Sequence, residues 1–374
     1  MNLKGIFLNI LIGKSAPSPA PRFLLDCLES VEVTHSDSGR SGFQMTFKAG
    51  RSARDLQDYK LAESSLVAPF SRVVLMVTIN ALPQVLMDGI ISNQQLDAGS
   101  DPGSTRLTIT GEDVSLMMDM HEKSEEHPAQ NEMIIAAKII ASYSQYGLIP
   151  DIRPPFVQDT PLPIERIPVQ QATDLEYLNL LARRFGYVFY IRPGPAPLSS
   201  IAYWGPPVRQ GSPQHALSVN MGPNSNVDSV SFQFNALAAV DVKGKILDRS
   251  TNKATALQIP QSQRSPLAVS TPATRRSIQF RQSGLTSLQA SARARGIMDS
   301  SADGAVTCTG ELDSVRYGGL LKAREIVGLR GAGRTYDGLW YVKSVTHKIR
   351  QDEYKQSFTL TREGTKATVG AVIP

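Results

Sequence analysis

Residues 173–194 read TDLEYLNLLARRFGYVFYIRPG, a helical period that runs into an aromatic strand across a single glycine. Thr173 and Glu176 stand at capping-box spacing. The Thr hydroxyl can accept the amide of residue 176 while the Glu carboxylate reaches back to the amide of residue 173, so a helix starts here. Leu175, Leu178, Leu181, Ala182 and Phe185 recur at three- and four-residue steps and form one apolar stripe, from which Asn179, Arg183 and Arg184 are excluded. Gly186 can take the left-handed conformation that ends a helix. Tyr187, Val188, Phe189, Tyr190 and Ile191 are β-branched or aromatic and are closed off by Pro193 and Gly194, which is strand chemistry. The unit is therefore a helix packed back on its own strand, and its aromatic residues are expected in a core rather than around a cofactor.

Working outward, the chain has 374 residues, more than one growing core accommodates, so two to four units are expected. An apolar fraction of 41% with 20% charged residues is that of a globular protein and excludes a fibrous or disordered chain. A net charge of +5 spread over this length falls far short of the dense basic stripe of a nucleic-acid reader, and no specific nucleic-acid binding is expected. Arg275, Arg276, Arg281, Arg293 and Arg295 are a local basic concentration with only Phe280 interleaved, read as a solvated face. Cys27 and Cys308 are too few for a disulfide framework or a four-thiolate metal site; whether the two meet is left open, with reduced thiols expected. The start MNLKGIFLNILIGKSAPSPAP mimics a secretory signal, but its apolar stretch is short and carries Asn9, and PRFLLDCLESVEV continues into strand-like sequence, so no signal is expected. No run of 18 apolar residues implies a membrane span.

From 29 to 111 the pattern is β. In GFQMTFKA, Phe43, Met45 and Phe47 alternate against Gln44, Thr46 and Lys48, and RVVLMVTI (72–79), QVLMDGIIS (84–92) and TRLTITG (105–111) follow, punctuated by Pro83 and the turn AGSDPGS. Five or six short strands at this spacing predict a small barrel over residues 1–119. An apolar helix over about 131–146, stopped by Gly147, opens an α/β unit over 120–215. Strand sequence returns at 225–244 and again in GAVTCTGEL, AREIVGL, LWYVKSVTHKI and EYKQSFTLTR, so 216–245 and 303–364 predict a second barrel split in sequence. The Ser-, Thr-, Gln- and Pro-rich segment 246–302, ending in the helical TSLQASARARGIM, reads as the insertion that splits it. The fold class expected is thus α+β, two antiparallel barrels plus an α/β unit. No repeat between the two β segments is visible as identical residues.

Motifs for chemistry are missing. There is no GxSxG elbow, HExxH helix or GxxxxGK[ST] loop. GLRGAG at 328–333 leaves a strand and precedes another, so it reads as a hairpin turn rather than a phosphate loop. His121 and His127 flank Glu122, Glu125 and Glu126 in what reads as a charged loop or helix start, without a third anchored ligand, and His35, His215 and His347 have no carboxylate or Ser beside them in sequence. No catalytic residue, metal or cofactor is expected; a carboxylate pair for glycoside cleavage is the one arrangement that sequence alone leaves open.

Six strings in order, SVEVTHSDSGRSGFQMTF, VLMDGIISNQQL with LTITGEDVSLMMDM, TDLEYLNLLARRFGYVFY, AYWGPP, SNVDSVSFQFNAL and GLWYVKSVTHKIRQDEYKQSFTLTREG, resemble the tail hub (late control D) family of contractile phages, whose hub fold is shared with type VI secretion spikes. The resemblance covers nearly the whole chain. It implies two tube-like β-barrels, the second interrupted, with one or two α/β domains, and a structural role in a virion tail baseplate assembled in the host bacterial cytoplasm. It also implies a homotrimer. Three copies of two similar units match a sixfold tail tube on one side and a threefold spike on the other. The partners implied are the tail spike protein, the tube or its initiator, other baseplate proteins and the tape measure protein. TREGTKATVGAVIP carries no OB-fold or β-helix after the hub, so the spike is expected on a separate polypeptide. A phage, a tailocin and an extracellular injection system are alternatives within this class. The competing classes are a peptidoglycan hydrolase seated in 246–302, too small for a cleft of its own, and a nucleic-acid binder resting only on a pI near 9.1.

Overall fold

Apolar residues at every second position dictate most of the strands. The computed structural model describes residues 2–372 except 4, 5, 15, 51–58, 100–102, 159, 250 and 371, and the predicted turn over 98–104 lies partly outside them. Ten strands carry the main sheet. Five come from the first third of the chain, β1 (Leu28–Ser36), β2 (Gly42–Lys48), β3 (Arg72–Ile79), β4 (Leu82–Asp97) and β5 (Arg106–Asp113). Five come from its later part, β6 (Val227–Phe234), β7 (Val306–Asp313), β8 (Ile326–Arg330), β9 (Gly338–Arg350) and β10 (Glu353–Arg362). The faces are those the alternation predicts. Phe43, Met45 and Phe47 are buried in one core, and Tyr354, Gln356, Phe358 and Leu360 are all buried along β10. Gln356 is tolerated there because Ser314 Oγ and the Gly319 carbonyl accept from its amide while its oxygen accepts from the Leu321 N–H.

The predicted barrels are not formed. The described strands make one open 14-stranded sheet that runs β3-β4-β5-β2-β1-β9-β10-β7-β6, and no sheet closes on itself. The reason is the pairing of β1 with β9, Ser30–Ser36 against Ser344–Arg350. Each group of strands spends an edge on the other group instead of on its own far side. The sheet is extended by Ile6–Gly13 along β3, and by β8 on the first half of β9 with Gln214–Ser218 parallel beyond it. Ile6–Gly13 is thus a strand with Ile6, Leu8, Ile10 and Ile12 buried, and RFLLDC after it is a short helix, Arg22–Cys27, rather than the start of a strand.

The sheet contains a repeat that the sequence hides. The five strands β1 to β5 lie in the order β3-β4-β5-β2-β1, and β6 to β10 lie in the order β8-β9-β10-β7-β6. Element for element the two orders are the same. Two irregularities of pairing fall at matching places in the repeats, at Glu29 in β1 and Asp228 in β6 and at Ser92 in β4 and Lys343 in β9, whereas the shift between Leu75 and Met76 in the β3–β4 pairing has no counterpart between β8 and β9. Bulges pin register, so they align the two halves residue by residue. In that alignment Ser30 and Val31 meet Ser229 and Val230, and the ion pair Arg106–Glu29 (2.7 Å) has its counterpart in Lys355–Asp228 (3.8 Å).

Between the repeats in sequence, residues 120–215 build a separate core. The helix Glu132–Ala141, capped by Asn131, and the helix Asp174–Arg183 pack on a three-stranded sheet of Leu148–Ile152, Ser200–Gly205 and Val188–Pro193. The opening stretch folds as its residues dictate. Thr173 and Glu176 form the reciprocal cap, and Leu175, Leu178, Leu181 and Ala182 are buried. The Tyr187 and Gly186 N–H groups donate to the carbonyls of Ala182 and Arg183, and Gly186 stands at φ +65°, which closes the helix in a Schellman turn and launches the strand. The segment 246–302 adds short two-stranded ribbons and the capped helix Ser287–Ala302, with a small core around Ile246, Phe280, Leu285, Ala290 and Ala294.

Candidate functional site

The histidines flagged by their neighbours are not brought together. His121 is exposed at the mouth of Glu122–Glu126, which is a strand paired with Val169–Thr173 and not the predicted loop or helix start. His127 is fully buried and stacks on Tyr177 at 5.8 Å, and burial lowers its pKa. Among the described residues no group of three or more His, Cys, Asp or Glu is placed to hold a metal ion, and Cys27 and Cys308 are both free. The Gly-rich 328–333 ends β8 and enters the β8–β9 connection, where the Asp337 carboxylate accepts from the Ala332 N–H. No helix among the described residues is long and apolar enough to cross a membrane.

The chemistry of the molecule is concentrated where the two repeats meet. Across the β1–β9 seam Thr34 and Thr346 share a hydroxyl hydrogen bond of 3.0 Å. Behind it, His35 and His347 lie edge to face at 5.9 Å, both buried. His35 Nε2 donates to the Leu86 carbonyl at 2.8 Å, and His347 Nδ1 lies 3.0 Å from the Tyr354 hydroxyl. Burial, helped by the Arg324 charge, pushes the His35 pKa down to about 3. Burial and the neighbouring His35 push His347 well below its ordinary value. Both rings are therefore neutral structural groups at pH 7.

Their neutrality has a measurable consequence. A base whose folded pKa lies below its unfolded value contributes stability that is complete above about 6.5 and is lost as pH falls toward the folded value, at about 1.4 kcal/mol per unit. Each histidine is thus expected to withdraw about 2 kcal/mol between pH 7.5 and 5. Asp37 and Asp113, pushed up by burial, act in the opposite sense. The test is a comparison of urea melts at the two pH values for the wild type and His347→Gln; the variant should show the smaller loss on acidification, and equal losses would mean that His347 already takes up its proton in the folded chain.

Arg324 locks the seam to the middle of the chain. It precedes β8, is 4% exposed and stands at φ +72°. Its guanidinium donates to the Ser36 carbonyl at 2.6 and 3.0 Å, to the Ser41 hydroxyl at 2.7 Å and to the Ile191 carbonyl at 2.9 Å, and it stacks on the Tyr190 ring at 4.0 Å. One side chain thereby holds the β1–β2 connection, the second repeat and the strand Val188–Pro193. Burial lowers its pKa. A second buried arginine corrects the sequence reading. Arg293, expected on a solvated face, is 8% exposed and shares Glu132 Oε1 with Arg184, both at 3.2 Å, whereas Arg275, Arg276 and Arg281 are exposed as expected. Arg293 looks solvated in sequence because nothing local marks its distant acceptor, Glu132.

A groove of about 1440 Å³ opens between the middle unit and the segment 246–302, walled by Tyr187, Tyr190 and Tyr203 on one side and Arg264, Arg295 and Asp299 on the other. Tyr190 and Tyr203 stack at 5.0 Å. The arginines are neutralised in place: Arg295 pairs with Asp299, and Arg264 with Asp299 and Asp303. The two Arg264 pairs tie the end of the helix Ser287–Ala302 to the loop before it, and the Arg295–Asp299 pair lies within the helix.

No family model matches the chain, and no curated protein matches it at a significant level. Solved structures do match over nearly its whole length. A tail protein from Neisseria meningitidis MC58 is 12% identical and superposes with a TM-score of 0.65 over 97% of this chain and 98% of its own. The 43 kDa tail protein of prophage MuSo2 from Shewanella oneidensis, also 12% identical, gives 0.63 over 96% and 98%. An E. coli component of the type VI secretion system, described as structurally similar to the T4 tail proteins gp27 and gp5, is 11% identical and gives 0.58 over 93% of this chain and 77% of its own. At these identities the likeness is one of architecture, and the sheet and middle unit described above have the fold of phage tail proteins and of a type VI secretion component.

Proposed function

We propose that this chain is the hub of a contractile tail, a structural adaptor between a sixfold tail tube and a threefold central spike. The observation that carries the reading is the duplicated five-strand sheet. One chain presents the same unit twice, head to tail, so three chains present it six times while remaining related by a threefold axis. The fold shared with tail proteins and with a type VI component supports the same class of role. The division into 1–119, 120–215, 216–245 with 303–364, and the inserted 246–302 belongs to this proposal, with the two repeats in place of barrels. So do the partners: the tail spike protein, the tube or its initiator, neighbouring baseplate proteins and the tape measure protein, in a virion tail assembled in the bacterial cytoplasm. The role is structural and not catalytic.

The expected result is a trimer of about 122 kDa, three times the 40.7 kDa chain, by light scattering, at micromolar concentration or on addition of the spike. A stable dimer or tetramer would count against the reading, as would peptidoglycan cleavage in a zymogram or a stoichiometric zinc signal.

A further inference from the structure

The charge of the chain is not spread evenly. Between residues 246 and 302 eight arginines and lysines stand against two aspartates, a net charge of +6. The whole chain is +5, so everything outside this segment sums to −1. Four of the eight cations are neutralised by folding: Arg249 pairs with Glu165, Arg264 with Asp299 and Asp303, Arg293 with Glu132, and Arg295 with Asp299. The other four, Lys253, Arg275, Arg276 and Arg281, are exposed and have no ion pair among the described residues. Three of these four bracket a single strand.

That strand, Arg276–Gln279, pairs in parallel with Val240–Lys243 and with no other strand among the described residues. Parallel strands are ordinarily buried within larger sheets, and a ribbon of two is the least self-sufficient form of sheet. Here Arg276, Ser277 and Gln279 are exposed and Ile278 is half-buried, so both faces of the strand meet solvent. The Phe280 N–H donates to the Lys243 carbonyl, which turns the backbone groups of residues 276, 278 and 280 toward the partner strand. By alternation the N–H and C=O groups of Ser277 and Gln279 point away from it, and they have no partner among the described residues.

We infer that an extended acidic segment of another polypeptide adds to this edge as a third strand, its main chain bonded to Ser277 and Gln279 and its carboxylates lying against Arg275, Arg276 and Arg281. An open edge admits any strand, and the unpaired cations choose among strands. Two copies of this edge repel each other, because like charges on strands laid side by side are destabilising. The edge is thereby guarded against pairing with itself, while a segment of opposite sign is drawn in. The surroundings do not suit a nucleic acid. Phe280, the aromatic residue within the basic run, is 9% exposed and belongs to the small core of the segment, so it offers no face for a base to stack on. The inference rests on the hub reading for its place in the assembly. The segment occurs once per chain where the five-strand unit occurs twice, so a trimer presents this edge three times, to a partner of the same symmetry.

The probe is a fluorescein-labelled peptide of alternating glutamate and valine, about seven residues long, which spans the edge at about 3.3 Å per residue. Fluorescence anisotropy with the full chain should give a dissociation constant of about 10–100 µM. Arg275→Glu together with Arg276→Glu should weaken it about tenfold, and raising the salt from about 0.05 to 0.3 M should weaken the wild type in the same direction. Ser277→Pro should also cost about tenfold with the melting temperature unchanged, because it removes a donor that faces away from the partner strand. The same peptide with every amide N-methylated should not bind the wild type, a measurement that needs no variant to fold. Equal binding of the methylated peptide, or wild-type affinity in Ser277→Pro, means that charge alone holds the probe and overturns strand addition. Tighter saturable binding of a DNA oligonucleotide or of phosphatidylglycerol vesicles overturns the choice of partner, and no binding of the peptide at millimolar concentration overturns the inference as a whole. A trimer in light scattering that binds no peptide leaves the hub reading standing without this edge contact; a stable dimer or tetramer that binds it supports the edge contact and overturns the hub reading.

Discussion

Arg324→Ala should lower the stability of the folded chain by about 3–5 kcal/mol, among the larger losses a single substitution produces. The wild-type guanidinium satisfies the Ser36 and Ile191 carbonyls and the Ser41 hydroxyl at once and covers the Tyr190 ring. Removing it strands those acceptors at a site with almost no access to water and leaves a void against an aromatic face. Residue 324 is also held at φ +72°, a conformation costing about 1 kcal/mol that persists only while the side chain is fixed at its far end. Arg324→Lys should recover less than half of the loss, because an ammonium cannot reproduce a planar fork spanning three acceptors. Urea denaturation of the three proteins is the measurement; a lysine variant as stable as wild type would show that a point charge suffices and that the fork geometry is immaterial.

Gly186→Val is expected to cost on the order of 4 kcal/mol, from two sources. A β-branched residue at φ +65° carries about 1–3 kcal/mol of backbone strain. A Cβ at this position would also lie 2.5 Å from the Gly296 carbonyl oxygen and 2.9 Å from its Cα, so the helix Ser287–Ala302 must move, at about 1–3 kcal/mol for overpacking. Gly296→Ala separates the two. Its Cβ would meet the Phe185 carbonyl carbon at 2.5 Å in an ordinary helical conformation, so any loss it produces reports the contact alone. Arg183→Ala, at an exposed position on the same helix, should stay within about 0.5 kcal/mol. If Gly186→Val melts with Arg183→Ala, the close approach of the two glycines does not constrain the fold.

The Gly186 pair shows how far local reading reaches. The capping box, the apolar stripe and the left-handed stop at Gly186 are written in fourteen consecutive residues, because each depends on hydrogen bonds and sterics spanning at most five positions. That the same glycine must also admit Gly296, more than a hundred residues later, is written nowhere near it. The alternating faces of β2 and β10 were legible for the same local reason: period two puts Phe43, Met45 and Phe47 on one side whatever their neighbours are.

The sequence by itself determined most of the strands and helices and the faces they bury; the exceptions are Glu122–Glu126, read as a charged loop or helix start and found as a strand, and Arg22–Cys27, read as running into a strand and found as a helix. Tertiary structure decided which strand lies beside which. A backbone edge offers the same N–H and C=O groups to any partner, so nothing in SVEVTHS marks its union with a strand more than three hundred residues away, and the expected barrels gave way to one open sheet. It decided the repeat as well, since two halves can share strand order and bulges while keeping few identical residues: packing asks only that a position be apolar and of suitable size. And it decided the fate of Arg293 and Arg324, whose residue type alone predicts a solvated surface. A guanidinium is buried when acceptors from several distant segments converge on it, and that convergence exists only once the chain has folded.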